Sequence, residues 1–131
     1  MAVCAVHDRL MTRDEKVVDT LTEWKEDKRK SQVTICQLLS LCSSIDGGDN
    51  GTVPSYKRAV SMANATAEPG KKFSSGPTPF QCIGELIRRK LEAKYESVEG
   101  YLHRRVLERL KLRYSVRAGL RVWLVLISSC F

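Results

Sequence analysis

The sequence predicts an all-α protein of three helices, a long antiparallel hairpin of residues 13–43 and 79–115 with a shorter helix at 54–66 between its arms. Two observations carry this. Apolar residues recur at alternating three- and four-residue spacing through both long segments, and each segment opens on a helix-start signal. Hydrophobic residues make up 43% and charged residues 28% of the 131 positions, which is ordinary globular usage and enough for one modest core.

The first arm opens at Thr12-Arg13-Asp14-Glu15, which has the form of a capping box with two acids near the positive helix end. Leu10, Val17, Leu21, Trp24, Ile35, Leu38 and Cys42 then share one seam, interrupted by Asp14, Lys28 and Ser31. The polar run EDKRKS at 26–31 marks a possible break within it. The short helix follows from Pro54 at a first-turn position and from Tyr56, Ala59, Val60 and Ala63 on one face. The second arm opens at Thr78-Pro79-Phe80-Gln81, a Thr cap with Pro at the first helical position. Its stripe, from Ile83 through Leu91, Tyr95, Leu102 and Val106 to Tyr114, is about 45 Å long at 1.5 Å per residue. Gly84 and Gly100 weaken that arm by about 1 kcal/mol each relative to Ala.

These elements fit one domain at 1–118, with flexible loops at 44–53 and 67–78 and an apolar tail at 119–131. The tail supports a helical and a strand-like period equally, and its apolar run is about half the ~20 residues a membrane-crossing helix needs. The Pro, Gly and Ser content of AEPGKKFSSGPTP makes it a connector, and it lacks the spacing of a phosphate-binding loop.

Residues 45–57, IDGGDNGTVPSYK, partly resemble a calcium-binding EF-hand loop. Asp46, Asn50, Gly51 and Val53 match its first, fifth, sixth and eighth positions. Gly48 supplies no side-chain oxygen, Pro54 stands at the ninth position, and Lys57 replaces the closing glutamate. The stretch reads as a plain turn, and no metal and no cofactor are expected. Cys4 and His7 offer only two of the four ligands a structural zinc needs. The five cysteines form no C-x-x-C pair and the N-terminus carries no secretory pattern, which points to an intracellular, reducing setting in cytoplasm or nucleus. With two histidines and no nucleophile–base pattern, catalysis and a small-molecule substrate are not expected.

Charge is the remaining signal. The net charge is +7, and residues 79–131 hold 11 basic against 5 acidic side chains. Arg105, Arg109, Arg113, Arg117 and Arg121 recur every four residues beside Leu102, Val106, Leu110 and Tyr114, so on a helix they form adjacent cationic and apolar ridges. The first function this suggests is a non-catalytic helical protein–protein interaction module, an adaptor or small subunit. Its candidate partner-binding residues are Arg105, Arg109, Arg113, Arg117, Trp24, Leu102, Val106 and Leu110. The alternative is a basic protein binding nucleic acid or another anionic surface through the arginines. Peripheral membrane contact through the tail is a third possibility.

Overall fold

The computed structural model describes residues 1–49 and 51–111. It is helix-rich, and among the described residues it contains two isolated antiparallel bridges and no strand. The α-helices are α1 (Ala2–His7), α2 (Ile35–Leu39), α3 (Tyr56–Met62), α4 (Pro77–Glu92) and α5 (Val98–Leu102), the last continuing into a π-helical turn at His103–Leu107. α4 is the centre of the packing, with α1, α2, α3 and α5 laid against it.

The expected first arm, 13–43, is not a helix. It holds three 3₁₀ turns, at Val17–Asp19, Thr22–Trp24 and Lys30–Gln32, and folds back so that the Val17 amide donates to the Val33 carbonyl and the Ile35 amide to that of Glu15. Local chemistry explains the failure. The Asp27 carboxylate accepts from the Arg29 and Lys30 amides at 2.9 and 3.0 Å, an Asx-type turn that competes with helical bonding. Glu15 does reach back to the Thr12 amide, but the Thr12 hydroxyl caps nothing, so the signal makes a turn. The complete capping box lies at Thr34 and Gln37, each bonding the other's amide at the start of α2. Five of the seven seam residues are nevertheless buried, Val17, Leu21, Trp24, Ile35 and Leu38 entering the core, while Leu10 and Cys42 are half-buried.

The middle helix forms within its expected bounds. Ser55 caps it, its hydroxyl accepting from the Arg58 amide, which puts Pro54 ahead of the helix rather than in its first turn, and Ala59, Val60 and Ala63 are buried. The second arm begins at Pro77, two residues before the expected 79, with Gly76 rather than Thr78 at the cap position and Thr78 buried inside the first turn, and it does not run to 115. It breaks at residues 93–97, where the Glu96 amide donates to the Leu91 carbonyl and the Tyr95 amide to that of Glu92, the paired bonds of a Schellman ending. Tyr95 occupies the left-handed position, φ 58°, that glycine usually takes. Arg9 and Leu41 hold the same role after α1 and α2, and Lys111 is left-handed after the π turn. Replacing Tyr95 with glycine is expected to raise unfolding free energy by about 1 kcal/mol, read from a denaturant midpoint.

The two loops are tied to each other. Ser44, itself buried, donates to the Glu68 carbonyl at 2.7 Å and accepts from the Lys72 amide, and the Gly70 and Ser74 amides donate to the carbonyls of Cys42 and Leu41. Gly47 and Gly76 meet backbone to backbone, and a Cβ on Gly76 would lie 2.3 Å from the Gly47 oxygen. The carboxylates of the calcium-like stretch are used locally, Asp46 accepting from the Gly48 amide and Asp49 from the Gly51 amide.

Gly84 has a packing role inside α4. A Cβ there would stand 2.5 Å from Cε1 of Tyr56, so the bare backbone makes room for that ring. Gly84→Ala is expected to cost about 1 kcal/mol net, overpacking of about 1–3 kcal/mol set against a helix gain of about 1. In a Tyr56→Ala background the sign should reverse, and a double-mutant unfolding cycle measures both.

Candidate functional site

The arginine ridge divides into a committed and an uncommitted part. Arg105 donates to Asp8 at 2.6 Å, and the Tyr101 hydroxyl donates to the other oxygen of that carboxylate at 2.7 Å. These two bonds hold the Asp8 carboxyl below its ordinary range, and burial raises the Tyr101 hydroxyl above its own. The assembly pins the end of α1 to α5. Arg109 is exposed and makes no ion pair among the described residues, and Leu110 beside it is 58% exposed. Val106 is half-buried, while Leu102 is 8% exposed and lies inside. Arg113 and Arg117 lie outside the described residues, as do Arg121 and the tail.

Trp24 is a core residue, 1% exposed, and its indole N–H donates to the Val60 carbonyl at 3.1 Å. The structure therefore does not bring the eight candidate residues together on one face. Trp24 and Leu102 are buried, Arg105 is consumed by Asp8, and Arg109 and Leu110 remain at the surface.

A different surface is built at the α4–α5 junction. An open cleft of about 590 Å³ is lined there by Tyr56, Arg88, Glu92, Tyr95, Glu96, Ser97, Val98 and Glu99. Tyr56 lies over Gly84, and the left-handed backbone at Tyr95 turns its side chain fully into solvent, at 101% exposure. Arg88 donates to Glu85 at 2.8 and 2.9 Å and to Glu92 at 2.9 Å. Arg104 engages Glu96 at 3.0 Å and spans the break between the helices. Glu99 is exposed and has no ion pair among the described residues.

Sequence reasoning placed Tyr95 in a buried stripe. One signal could have corrected it: Ser97 caps α5 by accepting from the Gly100 amide, and a new helix start implies a stop just before it.

Other chemistry-bearing groups are accounted for. Cys4, Cys36 and Cys42 are partly buried free thiols, and burial pushes the Cys82 thiol up to about 12. Among the described residues no group of three or more His, Cys, Asp or Glu is placed to hold a metal, and no helix is long and apolar enough to cross a membrane. No protein-family model, curated protein or solved structure matches the chain.

Proposed function

We propose that this chain is a non-catalytic protein–protein interaction module, an adaptor or small subunit, and that the α4–α5 junction is its docking face. The observation that carries the proposal is Tyr95. A large aromatic side chain stands fully in solvent on a backbone conformation that disfavours it, at the lip of a cleft with a second tyrosine in its wall. Exposed tyrosine is a favoured interface anchor, and the full exposure of this ring supports such a role. The alternative, an arginine-rich surface for nucleic acid or another polyanion, loses Arg105 to Asp8 and rests on Arg109 and the residues beyond it. The proposed setting is cytoplasm or nucleus.

The test is affinity capture by the immobilised full chain from lysate with and without nuclease treatment, run beside Tyr95→Gly. Proteins held by the unaltered chain should be lost from the variant, whose fold is expected to be more stable. Capture that is identical for both chains, or that disappears with nuclease, would overturn the reading.

A further inference from the structure

We infer that the π turn at His103–Leu107 is a pH-biased register switch, in which the protonated His103 ring favours π winding and the neutral ring releases the segment towards α winding. The carrying observation is a double tie between the same two residues. The Glu108 amide donates to the His103 carbonyl at 3.0 Å, the five-residue bond of a π turn, and the Glu108 carboxylate stands 3.1 Å from Nδ1 of the His103 ring. Residues five apart fall about 140° apart round an α-helix, so these two side chains would diverge there. The wider π turn brings them to one side. The side-chain pair therefore supports one winding and not the other.

The backbone alone does not favour this winding. π turns are rare, and this one leaves Nε of Arg105 buried with no acceptor among the described residues, a cost of its own. Imidazole is the side chain that gains charge between about pH 8 and pH 5, and a charged donor bonds a carboxylate more strongly. His103 and Glu108 are 54% and 58% exposed, so solvent screens the pair and protonation should change the ratio of the two windings by up to about fivefold.

The other charged groups around the turn do not supply this bias. Arg104 is held by Glu96, while Arg105 and the Tyr101 hydroxyl are held by Asp8 at the end of α1. Glu99 stands four residues before His103 on α5 and so neighbours it in either winding. Arg109 and Lys111 make no ion pair among the described residues, and His7, next to Asp8, is the one other histidine of the chain. Drawing the π turn back to α winding would rotate Arg109, Leu110 and Lys111 by about 100° round the axis. Protonation thereby biases how the exposed arginine and leucine at this end of the molecule are presented.

The test uses the ¹⁵N,¹³C-labelled full chain carrying His7→Gln, which leaves His103 as its one imidazole. The acceptor of the Glu108 amide is read from N–C′ couplings across the hydrogen bond at about pH 5.5 and about pH 8. The coupling to the His103 carbonyl should dominate at the lower pH, and a coupling to the Arg104 carbonyl should grow at the higher, the ratio changing by up to about fivefold. His103→Gln and Glu108→Gln, both at exposed positions, should each abolish the pH dependence. Glu108→Lys should reverse its direction, which a merely structural contact would not do. An acceptor that is the same at both pH values, a dependence that survives His103→Gln or Glu108→Gln, or an unchanged direction in Glu108→Lys overturns the inference.

Discussion

Glu85→Ala is expected to lower the unfolding free energy by about 3–5 kcal/mol, measured by urea titration. The Glu85 side chain is 0% exposed and sits on the inner face of α4, where Arg88 and Arg89 both donate to it at 2.8 Å. Arg89 also holds Glu23, so this network joins α4 to the 3₁₀ turn at Thr22–Trp24. Removing the carboxylate takes one of two carboxylate partners from each of two partly covered guanidinium groups, Arg88 keeping Glu92 and Arg89 keeping Glu23, and empties a fully buried site, in a domain class with about 5–15 kcal/mol in total. A loss below about 1 kcal/mol would mean that the pairs behave as solvated surface contacts.

The same carboxylate sets part of the acid limit. The bonds from Arg88, opposed by burial and reinforced by Arg89, leave the Glu85 carboxyl below the ordinary glutamate value of 4.5. A group lowered by folding contributes stability above its unfolded value and loses it as pH falls through its folded value. Unfolding free energy should therefore stay level above about pH 5 and decline below about 4.5, with a shallower decline in Glu85→Ala. Asp8, Glu23 and Asp27 are also lowered, so some slope should remain in the variant.

Trp24→Ala should cost about 3–5 kcal/mol, the range for deleting a buried large aromatic side chain. Trp24→Phe should cost less, about 1–3 kcal/mol, because it mainly leaves the Val60 carbonyl without its indole donor. Both should show in thermal or urea unfolding. If Trp24 were a partner contact instead, Trp24→Ala would leave unfolding nearly unchanged.

What the sequence conveyed well was which side chains go inside. Val17, Leu21, Trp24, Ile35 and Leu38 fall in the expected core seam and are buried, because withdrawing large apolar side chains from water is favourable whatever backbone path carries them inside. What it conveyed poorly was the backbone path between them. In residues 13–43 the three- and four-residue spacing was produced by 3₁₀ turns and a fold-back, with Asp27 terminating local helix through its own carboxylate. At 93–97 the stop carries Tyr95 where the usual marker would be glycine, so two helices read as one. The arginine ridge failed as a unit for a related reason: Asp8, 97 residues away in sequence, claims Arg105, and no local pattern announces such a pair.

That glycine-free junction also bears on the order of folding. Residues 77–107 share one helical apolar pattern, and the local stop within it, the Ser97 cap with the bonds at 91–96, is opposed by the left-handed backbone it requires of Tyr95. A nascent α4 is therefore expected to run on through 93–97 as a transient over-long helix. The bend then becomes a late event, fixed when Asp8 of the N-terminal segment captures Tyr101 and Arg105 and draws α5 out of line with α4. On that order of events Asp8 would help to set a helix boundary nearly a hundred positions downstream.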